Sequence, residues 1–259
     1  GGTQTLSHFK SGMDFSNLPN AAGPYKVGSD TQSGMVAGYM GTIPTAWQAA
    51  LGGTSFTGQT GAVSIIGRTS NGPAMSAFTP TDLGNTIPAP AYPLVRYPSG
   101  HWTLGDYDEV TDLISATDAI NGAVFVEGSD TVLFFGRHGN GTYCYGQGTN
   151  NQALDHTEVP GQEPVIYCYD PCSNDKSQHA YPYIPMVWAY DANDLKKAKD
   201  GTINPWDVLP YAHWHPTTIS TKCQPTYNGA AYDPTSKKIY LSEDTVEGDL
   251  PVIHVFTHR

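Results

Sequence analysis

The sequence predicts an all-β fold: a β-propeller, or the C-terminal blades of one, with antiparallel blades, long loop insertions and a few short helices. Composition is the first observation. With 28 Gly and 20 Pro, 11% aromatic and only 14% charged residues, the chain has the make-up of turn-rich β proteins rather than of helical or disordered ones. A recurring frame is the second. Residues 120–141 read as a hairpin, Ala123 to Val126 and Thr131 to Phe135, around the turn Glu127-Gly128-Ser129-Asp130. Residues 227–248 repeat it. Asn-Gly-Ala opens both units, at Asn121 and Asn228, and a polar turn at Asp233-Pro234-Thr235-Ser236 leads to a second strand from Lys238 to Ser242. Third, whole units recur at a spacing of about 90–110 residues, which suits propeller blades better than a sandwich.

In chain order, the first unit has "GMVAGYM" (34–40) as its inner strand. "GAVSIIGRTSNGPAMSAFTPTDL" (61–83) then supplies a strand, a glycine-containing loop and a further strand through Phe78, and it places Gly67-Arg68 where the second unit has Gly136-Arg137. A short helix is expected between them in "PTAWQAALGG", opened by Pro44 and closed by Gly52. "DYDEVTDLISATDA" (106–119) reads as a third short helix or a loop. In the second unit Gly139-Asn140-Gly141 leads into a third strand, "TYCYG", and in the last unit Glu247-Gly248-Asp249 leads into "PVIHVF". "DANDLKKAKDG" offers Asp191 or Asn193 as a helix cap and lysines where they suit the dipole. Stretches 85–93, 146–164 and 173–185, rich in Pro, Gly, Asn and Ser, are expected as surface loops.

Small residues, Gly122-Ala123 and Gly229-Ala230, suit inner strands crowded near an axis. Phe134, Phe135, Tyr240 and Trp188 are expected to fill the space between blades. The whole chain, residues 1–259, is expected to be one propeller-like domain. Three units fall short of the roughly four to eight with which a propeller closes, so N-terminal blades are expected to be missing. Open strand edges would favour pairing between molecules, so a second copy or the missing blades are the expected partners.

The formal net charge is −11, and the 13 Lys and Arg form no basic run. Nothing here would neutralise a row of phosphates, and nucleic acid is not an expected partner. No apolar stretch approaches the roughly 20 residues of a membrane span. Cys144, Cys168, Cys172 and Cys223 are an even set, which allows three disulfide pairings and suggests an oxidising, extracellular compartment. Zinc would need two close cysteine pairs, and only Cys168 and Cys172 are close. Asn140-Gly141-Thr142 is a glycosylation sequon in a loop.

The segments "SGMVAGYMGTIPTAWQAALGG", "SNGPA", "PLVRYP", "GAVFVEGSDTVLFFGRHGNGTYCYG", "YCYDP", "HAYPYIPMVWAYDANDL" and "GAAYDPTSKKIYLS" cover most of the chain. Through them it resembles an uncharacterised group of secreted bacterial β-propeller proteins. The resemblance implies a pattern that begins well before this chain does, and Cys144–Cys168 and Cys172–Cys223 as the bridges. It implies no catalytic residue, because the group has no assigned activity.

Candidate chemistry remains sparse. Arg137 and His138, with Tyr143, stand at the end of a strand before Gly139-Asn140-Gly141, where they could hold an anion or a glycan. Arg137 has a counterpart in Arg68 and so fits a structural role; His138 breaks the repeat and is the functional suspect. His213 and His215 in "AHWHP" share one face of an extended strand, a two-ligand arm for a metal. Asp106 and Asp108, grouped with Glu109 and Asp112, offer oxygen ligands for calcium or a carboxylate pair for glycoside hydrolysis, although the calcium-loop pattern is absent. Trp102, Trp206 and Trp214 are candidate sugar platforms or blade packing. These readings favour a secreted, non-enzymatic binding or assembly module of an extracellular matrix or filament. The alternatives are a carbohydrate-active hydrolase or lyase with its site at the propeller rim, and a metal-binding redox protein.

Overall fold

The computed structural model describes residues 4–9, 12–29, 36–61, 70–98, 100–104, 108–217, 220, 222–247 and 250–257. They are mostly β, in several antiparallel sheets. Sheet I is a meander of β1 (Tyr39–Thr42), β2 (Ser55–Gly58), β3 (Met75–Phe78) and β4 (Ala91–Val95). Sheet II runs β5 (Ala119–Phe125), β6 (Thr131–Gly139), β10 (Tyr183–Asp191), β11 (Ala212–Trp214). Sheet III is β12 (Tyr227–Asp233), β13 (Lys238–Glu247) and β14 (Leu250–Thr257). Between β6 and β10 a separate small sheet is inserted: β7 (Cys144–Thr149), paired in parallel with β8 (Tyr167–Tyr169) and antiparallel with β9 (Lys176–His179). A two-stranded ribbon, Gln4–His8 with Ala22–Lys26, precedes sheet I.

Two-residue alternation builds the core. Along β6, Val132 and Phe134 face sheet I, while Leu133 and Phe135 face sheet III. In β10, Met186, Trp188 and Tyr190 point one way, Val187 and Ala189 the other. Sheet II is therefore buried on both faces, and a strand buried on both faces needs the near-continuous apolar run that both sequences carry. The first strands of the three sheets are neighbours, with β1 and β12 flanking β5. Gly122 permits this closeness: a Cβ there would lie 2.7 Å from the Ala230 nitrogen and 2.8 Å from its Cβ. Asn121 ties the same junction, donating from Nδ2 to the Tyr227 carbonyl at 2.9 Å.

The repeat holds at the level of register. Asn121 and Asn228 stand 107 residues apart, and the same displacement carries the β5–β6 pairs from Ile120–Gly136 to Phe125–Val132 onto β12–β13 pairs. Gly122 opposite Phe135 becomes Gly229 opposite Ser242, and Val124 opposite Leu133 becomes Ala231 opposite Tyr240. Even the register shift recurs, between Ile120 and Gly122 and between Tyr227 and Gly229.

Helix α1 (Thr45–Leu51) follows Pro44 and ends at Gly52 in the left-handed region, φ 81°. The second helix, α2 (Ala192–Lys199), is capped by Asp191, whose carboxylate accepts from the Asn193 N–H, and buries Ala192, Leu195 and Ala198 against β4 and α1.

Several expectations need correction. "TYCYG" is not the third strand of sheet II: β6 pairs with β10, which continues the apolar two-faced pattern, and Cys144 begins the inserted sheet. Stretches 146–164 and 173–185 contain strands, because the inserted sheet recruits them; 85–93 runs into β4. Of the two readings of 106–119, helix or loop, the described residues 108–118 follow the loop, closed by hydrogen bonds of Asp118 and Thr111. The inner strand of sheet I starts at Tyr39, and its hydrogen-bonded neighbour is β2, which the sequence pattern does not reveal. Residues 62–69, with the Gly67-Arg68 pair, lie outside the described residues. Phe134, Phe135 and Trp188 fill the spaces between sheets as expected, whereas Tyr240 lies on the outer face of sheet III.

Candidate functional site

The end of β6 carries a buried polar cluster. His138, with 0% of its surface exposed, directs Nδ1 to the Asp118 carboxylate at 2.7 Å and Nε2 to the Thr111 carbonyl at 2.8 Å. Asp118 also accepts from the Ser115 N–H at 2.8 Å. Burial pushes the imidazole pKa down, but the Asp118 charge and hydrogen bond and the Thr111 carbonyl outweigh it, so the pKa lies above the ordinary value. Both nitrogens are spent, and His138 is a clasp holding residues 111–118 over sheet II. Trp188 helps, donating Nε1–H to the Leu113 carbonyl at 2.8 Å. A ligand from solvent does not reach this histidine.

A second histidine–carboxylate cluster, not anticipated from the sequence, lies in the insertion. His179 Nδ1 stands 2.8 Å from Asp170, and Tyr183 donates its hydroxyl to the same carboxylate oxygen at 2.7 Å. Asp170 takes a third bond from the Cys172 N–H at 2.8 Å. Burial alone would raise the Asp170 pKa, but the bonds from His179, Tyr183 and Cys172 lower it. Ser177 Oγ is 3.2 Å from His179 Nε2, so Ser177, His179 and Asp170 have the spacing of a nucleophile relay. However, Nε2 also faces the Asp175 carbonyl at 3.1 Å. The Asp175 carbonyl and the Ser177 hydroxyl therefore crowd the same ring nitrogen. The signal in the sequence was the pair "YCYDP" and "HAYPY", an Asp and a His bracketing one short strand.

Arg137 packs its guanidinium over the Tyr183 ring, 4.5 Å from the centroid, and donates to Gln224 Oε1. It therefore joins β6 to the start of β10 and to the segment before β12. Burial draws its pKa down, the Tyr183, Asp118 and Asp170 charges acting against that. Tyr143 is half-buried, its hydroxyl accepting from Gln178 Nε2 at 3.3 Å.

The remaining candidates are scattered. Asp108 pairs with His156 Nε2 at 2.7 Å on the surface; Asp106 lies outside the described residues. His213 and His215 are exposed, at and just beyond the edge strand β11. Among the described residues, no three His, Cys, Asp or Glu side chains are grouped to hold a metal ion. Asp191 and Asp194 are used by α2, as its cap and as the partner of Lys197 at 2.7 Å. Trp214 is exposed and Trp206 lies under Arg96, while the side chain of Trp102 is outside the described residues. Asn140 is exposed, so the sequon is reachable by a glycan.

The two disulfides are Cys144–Cys168 and Cys172–Cys223, the pairing that the resemblance implied. Their Cα separations, 5.8 and 5.4 Å, suit unstrained bridges. The first staples the inserted sheet; the second ties it to the approach to β12. No described helix is long and apolar enough to cross a membrane.

Two clefts stand out among the described residues. One, about 340 Å³, opens where β1, β5 and β12 end, with Met40, Phe56, Phe125 and Tyr232 on its walls and Glu127 at the rim. The other, about 510 Å³, lies between the N-terminal ribbon and residues 80–85, beside His8 and Tyr25. Neither is lined by Arg137, His138, Tyr143, Asp108, His213 or His215. No family model, no curated protein and no solved structure matches this chain.

Proposed function

We propose that the chain is a set of β-propeller blades from a secreted, non-enzymatic protein of the uncharacterised bacterial propeller type, and that it works as an extracellular assembly module. One observation carries this reading. Sheet III repeats sheet II in register, yet no described residues cover its outer face or pair with the far edge of β14, so the described residues present the kind of surface that joins sheet to sheet internally. Adjacent inner strands held by Asn121 and Gly122 support the propeller arrangement. Two disulfides support export to an oxidising compartment.

A carbohydrate-active enzyme is the less favoured reading. It requires Arg137, His138, Tyr143, the Asp108 region and His213 to converge on one substrate. Instead His138 is sealed, Asp108 is paired with His156, and His213 stands on a different strand edge. Calcium has no group of three His, Cys, Asp or Glu side chains among the described residues to recommend it.

Sedimentation of the purified chain over a wide concentration range tests the assembly reading. A mass rising above the 27.8 kDa of one chain is the expected result. A mass that stays at the single-chain value at every concentration would overturn it.

A further inference from the structure

Sheet II has four strands and sheet III has three among the described residues. In sheet II the fourth strand, β11, runs antiparallel to β10, with Val187, Trp188 and Ala189 opposite Trp214, His213 and Ala212. Val187 lies opposite Phe135 and Ala189 opposite Leu133; in sheet III the residues opposite the counterparts Ser242 and Tyr240 are Ile253 and Val255. The stretch of β14 equivalent to the docking stretch of β10 is therefore Ile253-His254-Val255. No described strand pairs with its outer edge.

Pro251 and a register shift between Leu250 and Val252 guard only the start of that edge, and the run beyond them lacks the usual guards. Exposed edges are normally protected by lysines, by a proline within the pairing run or by a bulge. Between Val252 and Thr257 there is no charged Lys, Arg, Asp or Glu and no proline, and the pairing with β13 over Ile239 to Glu243 is regular. Leu250, Ile253, Val255 and Phe256 are 65%, 53%, 51% and 41% exposed. In sheet II the residues equivalent to Ile253 and Val255 are 2% exposed, because sheet III covers them.

We propose that β14 takes β14 of a second copy of this chain as its fourth strand, giving a continuous six-stranded antiparallel sheet across a two-fold axis. This deepens the assembly reading and rests on it. The repeat demands an antiparallel neighbour, and a two-fold axis beside β14 supplies one automatically. An uncharged apolar edge in a chain of net charge −11 selects an equally uncharged edge, and the second β14 is one. With the axis at His254, Ile253 of each copy faces Val255 of the other, and each His254 keeps its own Glu243 at 2.7 Å. A head-to-tail arrangement is disfavoured: on sheet I, Phe78 is already covered by Leu6, Val27, Leu83 and Ala89.

The test is sedimentation of the wild-type chain beside the double variant Ile253→Lys/Val255→Lys and the variant Ala231→Lys. The double variant sets lysines opposite lysines across the axis, where like charges repel. It is expected to associate about 100-fold more weakly or not at all, with an unchanged unfolding midpoint, since both side chains are exposed. Ala231 is exposed on the outer face but away from the edge, so Ala231→Lys should still dimerise. Three results would overturn the inference. If the double variant assembles like wild type, β14 is not the contact, although the assembly reading survives. Loss of assembly in Ala231→Lys would mean face-to-face packing in place of edge pairing. A wild-type chain that is monomeric throughout removes both this inference and the reading beneath it.

Discussion

Sheets II and III share a register, a bulge and an Asn-Gly-Ala opening, but they live in different surroundings. Val124, Leu133, Phe135, Val187 and Ala189 of sheet II are buried beneath sheet III. Their counterparts, Ala231, Tyr240, Ser242, Ile253 and Val255, are exposed or half-exposed. Sequence has adapted to environment: Phe135 becomes Ser242 and Leu133 becomes Tyr240, while β14 keeps Ile and Val. The local frame is set by turns and alternation, which the chain carries within some twenty residues. Whether a face is buried depends on whether a neighbouring sheet packs against it, and the same strand pattern serves both cases.

The largest separation between the two sheets is expected in their cores. Trp188→Ala removes a side chain with 0% exposure and should cost about 3–5 kcal/mol in urea unfolding. Tyr240→Ala, measured where the chain is dilute, should stay within about 0.5 kcal/mol. Comparable costs near 3 kcal/mol would mean that sheet III is buried in the isolated chain.

His138→Gln belongs to the same range. It leaves the Asp118 carboxylate buried without its imidazolium partner, a loss of about 3–5 kcal/mol at mildly acidic pH. Because the His138 pKa is raised on folding from an ordinary value of 6.5, its stabilisation is present in full below that pH and is lost as pH climbs through the raised value. Thermal unfolding from mildly acidic to alkaline pH should show that decline in the wild type and a flatter profile in the variant. Asp170, lowered from 3.8, governs the opposite limb: its contribution is present above that value and fades as pH falls through the lowered one.

These clusters also mark where the sequence could not be read. The hairpins at 123–135 and 230–242 were legible because both strands and their turn are contiguous. The insertion was not. Its strands Cys144–Thr149 and Lys176–His179 are glycine-rich or polar, and they are held by Cys144–Cys168 and by the His179–Asp170 bond. His138 stands out in the sequence as the residue that breaks the repeat, but its partners lie 20 and 27 residues away, at Asp118 and Thr111. Spacing alone gives no hint of burial, so a structural clasp resembles a functional suspect. The partner of β6 is hidden for the same reason: β10 comes only after the whole insertion.

Replacing Cys144 and Cys168 together by Ser should cost about 3–4 kcal/mol, and the Cys172–Cys223 pair about the same, if the unfolded chain gains the expected loop freedom. Denaturant midpoints of the two double variants measure both. A destabilisation below about 1 kcal/mol for Cys144–Cys168 would show that the inserted sheet is held by its His179–Asp170 cluster instead.

A smaller and sharper contrast comes from the paired glycines. Gly122→Ala forces a methyl group onto Ala230 and should cost about 1–3 kcal/mol. Gly229→Ala meets nothing nearer than Ser242 Oγ at 3.9 Å, and should change stability by no more than about 0.5 kcal/mol. Equal effects would contradict the asymmetry between a filled junction and an open one. The smallest effect is expected at the paired asparagines: Asn121→Ala loses its bond to the Tyr227 carbonyl at a cost of about 1 kcal/mol, while exposed Asn228→Ala should cost less than about 0.5 kcal/mol.

Backbone hydrogen exchange in β10 and β14, measured as a function of protein concentration, tests the central claim most directly. The pairing of β10 is internal, so its protection should not vary with concentration. Amides of Val252 to Phe256 that point away from β13 should exchange freely in dilute solution and become protected as concentration rises. Protection in β14 that never changes with concentration would contradict the account.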